Sequence, residues 1–148
     1  MNRLRKQLII SIILAIIFML PLSGFCGDKQ VNISAAKTID AETIVASGSY
    51  TTSAIDLYGV RGYFSIQYAI TDNGTLTLSY LLSNDGTNYL LPSGSNVIAT
   101  GLTKTSGPGA DGKDILPLTP PVARFLKFVA TETSTTDDVT ITMYYAIQ

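Results

Sequence analysis

Residues 62–91 read GYFSIQYAITDNGTLTLSYLLSNDGTNYLL. This stretch decides the fold. Phe64, Ile66, Tyr68 and Ile70 recur at every second position, and so do Leu76, Leu78, Tyr80 and Leu82. Residues two apart share one face of a pleated strand, so each set can line a core. Asp72-Asn73-Gly74 lies between the two sets, and Asn84-Asp85-Gly86 follows the second. Asn, Asp and Gly accept the positive φ angles of tight turns, so both triplets predict β-hairpins. The expected unit is two long strands and the start of a third.

The same period continues downstream. Leu126, Phe128 and Ala130 share one face of a strand within residues 123–131, with Phe125, Lys127 and Val129 on the other. The mixed second face predicts cover by a loop or a neighbour. Val139, Ile141, Met143, Tyr145 and Ile147 form the last set, in a strand expected to lie deep in its sheet. Upstream, residues 28–36 form a polar lead-in with Val31 and Ile33. Residues 38–45 and 50–57 read as strands, the first favoured by its β-branched residues. Residues 96–103 form a strand whose Gly101 predicts a bulge. Residues 104–113 (KTSGPGADGK) form the longest loop. Pro117 and Pro120-Pro121 confine Ile115, Leu116 and Leu118 to an edge or a crossing connection. About eight strands, no amphipathic helix and turn signals throughout predict an all-β, antiparallel β-sandwich or jelly roll.

The N-terminus has a different character. Arg3, Arg5 and Lys6 precede an apolar run over residues 8–20, and Pro21, Ser23 and Gly24 follow. This is the three-part layout of a secretory signal peptide, and a signal helix over residues 1–26 is expected. The run is shorter than the roughly 20 residues of a spanning helix, though an uncleaved anchor stays open. Cleavage after Cys26 or Gly27 would leave a domain over residues 27–148. Cys26 is also a candidate for lipidation as the first residue of a bacterial lipoprotein, although Phe25 before it departs from the usual small residue. The expected location follows export through the inner membrane: periplasmic, cell-surface or secreted.

The 148 residues carry a formal net charge of −1, with 14% charged and 46% hydrophobic residues. Without residues 1–26, seven basic and eleven acidic side chains remain, a net charge of −4. The basic ones are scattered, which argues against a nucleic-acid groove. With Cys26 removed or lipidated, the domain has no thiol and rests on packing and strand pairing alone.

Catalytic chemistry is poorly provided for. The chain has no His and one Cys, so the usual general base is missing. Glu42 and Glu132 are the only Glu residues, and neither sits in a recognisable motif. Asp72, Asp85, Asp111 and Asp114 could present oxygen ligands to calcium. Their spacing does not match a calcium loop, and turn chemistry explains them. The chain is therefore expected to be no enzyme, with no catalytic residue, cofactor or metal site. Two activities remain. Apolar or aromatic residues on both faces at Tyr63/Phe64, Leu81/Leu82, Phe125/Leu126 and Tyr144/Tyr145 point to a homo-oligomer or a surface-assembly partner, unless loops of the same chain cover them. Tyr50, Tyr58, Tyr63, Tyr89 and Tyr144 are candidate contacts for a partner or a glycan, the alternative being a secreted lectin-like module. A membrane is expected only through the signal peptide or a lipid on Cys26.

The segments GYFSIQ, GTLTLSYLLSNDGTNY and ARFLKFVATET, with the closing aromatic strand, resemble small β-sandwich proteins of phage virions and related surface proteins. The resemblance covers about residues 49–148. It implies a structural or adhesive role, and no catalytic residues come with it. The export signal sets this chain apart from virion proteins, which assemble in the cytoplasm, and points to a host-encoded exported relative.

Overall fold

A computed structural model of the chain describes residues 33–60, 62 and 64–148. The expected signal segment, Cys26, Val31, Arg61 and Tyr63 lie outside the described residues. Nine strands follow in order: β1 (Ser34–Ile44), β2 (Ser49–Thr51), β3 (Ile55–Asp56), β4 (Phe64–Thr71), β5 (Leu76–Ser83), β6 (Val97–Leu102), β7 (Lys113–Leu118), β8 (Phe125–Glu132) and β9 (Val139–Ile147). They make two antiparallel sheets. Sheet A has the order β1-β9-β4-β7, and sheet B the order β2-β8-β5-β6, with β3 also on β8.

The pairing is nested. β1 pairs β9, β2 and β3 pair β8, β4 pairs β7, and β5 pairs β6. Successive pairs alternate between the sheets, which is the jelly-roll wrapping of one long antiparallel hairpin. β4 then also pairs β9, and β5 also pairs β8, closing each sheet through its centre. The opening stretch thus supplies a central strand to each sheet, and the last strand is interior to sheet A.

The core is built on the period-two sets, of which Leu82, Tyr145 and Ile147 are only partly buried at its margin. Phe64, Ile66, Tyr68 and Ile70 of β4 are buried, as are Val139, Ile141 and Met143 of β9. Facing them from sheet B are Leu76, Leu78 and Tyr80 of β5 and Leu126, Phe128 and Ala130 of β8. The Phe64 and Phe128 rings meet edge to face across the sheets, 5.8 Å between centroids, a favoured aromatic geometry.

Three details differ from the sequence reading. The Asp72-Asn73-Gly74 turn is no hairpin, because β4 and β5 lie in different sheets. A type I′ hairpin turn requires positive φ at both central residues; within the triplet only Asp72 has it, at 68°. The donors beyond the turn go elsewhere: Gly74 N–H to the Asp138 carbonyl at 2.9 Å, and Thr75 N–H to the Glu132 carboxylate at 3.0 Å. A Cβ on Gly74 would stand 2.8 Å from that Asp138 oxygen, so the corner requires glycine. Two apolar faces that could share one sheet instead confront each other across the core.

The second turn does return the chain, through a wide loop over residues 83–89. Leu82 and Leu90 exchange both backbone hydrogen bonds, at 3.0 and 2.9 Å, as an isolated bridge before β6 begins. The strand read over residues 50–57 is split into β2 and β3. Buried Thr52 makes the break: its Oγ1 accepts the Phe128 N–H at 3.0 Å and donates to the Ser53 carbonyl at 3.0 Å. Elsewhere, Gly101 has φ 68° and the β5–β6 register shifts, as a bulge requires. Pro117 lies in β7, an edge of sheet A.

Candidate functional site

Three polar clusters and two surfaces compete as the functional site. The first cluster is at the end of the sandwich that holds the β4–β5 corner. Glu132, the last residue of β8, is 1% exposed. One carboxylate oxygen accepts the Thr75 N–H at 3.0 Å and the Ser134 N–H at 2.7 Å. The other accepts the Ser47 N–H at 2.8 Å. Burial pushes this carboxyl up, but the donors of Ser134, Ser47 and Thr75 outweigh it and hold its pKa at about 2. A carboxylate that is ionised near neutral pH and hydrogen-bonded on both oxygens binds three loops together. The sequence signal for it was absent, because Glu132 opens a polar segment and only tertiary placement buries it.

The second cluster is the SNDGTN loop. Asp85 Oδ1 accepts the Ser83 hydroxyl and the Thr87 and Asn88 N–H groups, each at 2.8 Å. Its Oδ2 accepts the Asn88 side-chain amide at 2.7 Å. Backbone donors of Asn88 and Thr87 dominate, and with the two side-chain donors they hold this carboxyl well below the usual range. Asp85 is therefore saturated by its own loop, as the turn-chemistry reading expects. Asp72, Asp111 and Asp114 are not gathered with it. Among the described residues no group of three or more His, Cys, Asp or Glu side chains is assembled for a metal.

The third cluster runs along the start of β8 and pairs aromatic rings with cations. The Arg124 guanidinium stands over the Tyr58 ring at 4.7 Å and the Phe125 ring at 5.2 Å. It also makes two bonds to the Asp56 carboxylate, 2.7 and 2.9 Å long. Lys127 Nζ lies 4.1 Å from the Tyr89 ring centroid. Gly86, at φ 74°, packs its backbone against Phe125; a Cβ there would be 3.1 Å from the ring. The 83–89 loop thus folds back on the outer face of sheet B and covers the Phe125 side of β8.

The candidate tyrosines are dispersed. Tyr58 is 80% exposed, in the β3–β4 connection. Tyr89 is half-buried beside Lys127. Tyr50, on β2, packs partly against the core. Tyr144 lies on the outer face of the other sheet, 39% exposed, with Lys37 Nζ 5.4 Å from its ring. Tyr58 and Tyr89 flank β8; Tyr50 and Tyr144 do not join them.

The two surfaces carry exposed apolar side chains. Register places Ser65, Gln67 and Ala69 of β4 beside Ala146, Tyr144 and Thr142 of β9, all facing outward from sheet A. Pro117 and Ile115 of β7 continue the rows. This face is made mostly of small side chains, with exposed Ile115 (63%) and Tyr144 (39%) standing above it, and with Lys37 beside Tyr144 and Lys113 beside Ala69 on its edge strands. The second surface is the end of the sandwich opposite Glu132. A shallow cavity of about 470 Å³ there has Leu82, Leu90, Pro92, Pro121 and Val122 as its apolar walls. Val122 and Pro121 also border a neighbouring cavity of about 210 Å³ that reaches Leu57 and Phe64.

No protein-family model and no curated protein matches the chain. Among solved structures it is similar to the "Structure of infectious bursal disease virus Gx strain", with a TM-score of 0.48 and 9% identity over 78% of this chain and 32% of that one. It is also similar to the "Structure of infectious bursal disease virus Gt strain", with a TM-score of 0.48 and 8% identity over 78% of this chain and 31% of that one. The chain spans about a third of the length of either.

Proposed function

We propose that this chain is an exported, non-enzymatic structural or interaction protein whose sandwich self-associates, or docks on a surface assembly, through the outer face of sheet A. One observation carries the reading. The outer face of sheet B is partly covered by the chain's own 83–89 loop through Gly86 and Tyr89, whereas Tyr144 and Ile115 rise from an open outer face of sheet A whose charged side chains, Lys37 and Lys113, belong to its two edge strands. Small side chains of Ser, Ala and Thr at the centre of that face let another sheet approach at about 10 Å, with the two large side chains as anchors. The polar clusters point the same way, since Glu132 and Asp85 are saturated by local donors. Light scattering on the exported chain tests this, with Tyr144→Asp and Ile115→Asp as the variants that abolish association.

A carbohydrate-binding module using the tyrosine-bearing loops is the second reading. Tyr58 favours it, because its exposed ring is held by Arg124 from one side. A glycan array on the wild-type and Tyr58→Ala chains tests it; a wild-type chain with no hits contradicts it.

A further inference from the structure

Large exposed apolar side chains are distributed unevenly. Nine are found among the described residues. Two, Ile115 and Tyr144, belong to the sheet A face, and Val97 lies along an edge strand. Five of the other six, Ile33, Tyr58, Leu90, Leu91 and Val122, gather at the end away from Glu132. Register fixes that end: Ser34 and Phe64 both pair with Ile147, Phe64 with Leu118, and Ser83 with Phe125. The Glu132 end exposes Val45 among Asp72, Asp111, Asp137, Asp138 and Lys104, whose ammonium bonds Asn73 at 2.8 Å.

We propose that the Leu90–Leu91–Val122 end is a membrane-contacting surface that seats in the interface of a lipid bilayer. The proposal rests on reading residues 1–26 as a membrane-directed segment, held there by its apolar run or by a lipid on Cys26. Ile33, the first described residue, lies at this end, next to Ser34, which pairs with Ile147. Six residues lie between Cys26 and Ile33, a span of seven steps that reaches at most about 25 Å when fully extended. A tether this short sets an effective concentration on the order of millimolar, so a few apolar side chains suffice to hold the end down.

The chemistry of the end suits a lipid surface. Leu90, Leu91 and Val122 are aliphatic tips on loops, and Tyr58 brings the amphipathic ring that favours the headgroup boundary. Two of its charges are neutralised within the molecule, Arg124 by the two bonds to Asp56. A third, Asp85, is surrounded by donors of its own loop. The carboxylates of Asp72, Asp137 and Asp138, which pair with no cation among the described residues, stand at the far end.

The chain has no Trp, so a single introduced indole reports one place. The full chain, with its N-terminal segment, is made as Val122→Trp and, for the far end, as Val45→Trp. Both positions are exposed, so neither substitution disturbs the core. Each chain is reconstituted with phosphatidylethanolamine–phosphatidylglycerol vesicles carrying brominated acyl chains. The expected result is co-flotation of both, with several-fold stronger quenching and a blue-shifted emission only for Val122→Trp. Co-flotation with equal quenching of the two reporters overturns the membrane contact while leaving the tether standing. A chain that does not co-float overturns the tether, and the proposal with it. A blue shift without vesicles that grows with protein concentration assigns the end to a second copy and equally overturns it.

Discussion

The Glu132 carboxylate accepts the Thr75 backbone N–H at 3.0 Å, joining positions 57 residues apart. This bond fixes the corner by which the chain leaves sheet A for sheet B. The same side chain holds Ser47 between β1 and β2 and Ser134 between β8 and β9. Three of the connections that wrap the jelly roll therefore converge on one buried charge. Replacing Glu132 by Gln keeps the shape but sets an amide NH₂ against N–H donors, so at least one donor loses its acceptor. Thermal unfolding of Glu132→Gln should show a midpoint lower by on the order of 10 °C. An unchanged midpoint would show that the loops are held by something else.

Acid should act on the same residue. Its folded pKa of about 2 lies below the ordinary value of 4.5. The unfolded chain therefore takes up the proton first as pH falls, and protonation favours unfolding. The stabilisation is complete above about pH 4.5 and is lost as pH falls toward 2. Denaturation midpoints measured across that window should decline for the wild type and decline less steeply for Glu132→Gln. Asp85 is shifted in the same direction by its loop donors, so part of the slope should persist in the variant.

Gly74 is the backbone counterpart of Glu132 at the corner. A Cβ there meets the Asp138 carbonyl oxygen at 2.8 Å and the Val139 Cβ at 3.0 Å. Neither is the free end of a flexible side chain, so Gly74→Ala must displace the β8–β9 loop from the corner. A cost of about 1–3 kcal/mol is expected from chemical denaturation, with the slope of the transition unchanged. A variant as stable as the wild type would mean that the corner adapts freely.

Asp85 organises a loop that covers sheet B. Asp85→Ala removes the acceptor for the Thr87 and Asn88 N–H groups and for the Asn88 amide. The core lies elsewhere, so the fold should persist with a modest fall in stability. Hydrogen exchange should accelerate at Thr87 and Asn88 and leave the β5 and β8 amides protected. Uniform acceleration across both strands would place the loop in the global folding unit instead.

What was legible in the sequence was what repeats at period two. The inward sets of β4, β5, β8 and β9 were readable because a strand between core and exterior must alternate. The bulge at Gly101 and the edge position of Pro117 were readable because those residues constrain the backbone locally. Lateral pairing was not. Alternation names the buried face of a strand but not its neighbour, so the 72–74 corner passed for a hairpin although β4 and β5 face each other across the core. Glu132 was missed for a related reason: its burial depends on three loops that meet only in the folded chain. The candidate tyrosines were chosen for residue type alone, and residue type does not say that Tyr58 and Tyr89 flank β8 while Tyr50 packs on the core.

The assembly reading meets its most direct test in the mass of the chain in solution. Multi-angle light scattering across a wide concentration range should show mass rising with concentration for the wild type. Tyr144→Asp and Ile115→Asp should hold the mass at that of one chain without lowering the unfolding midpoint, since both side chains are exposed. A wild-type chain that stays a monomer at every concentration contradicts the proposed use of the sheet A face.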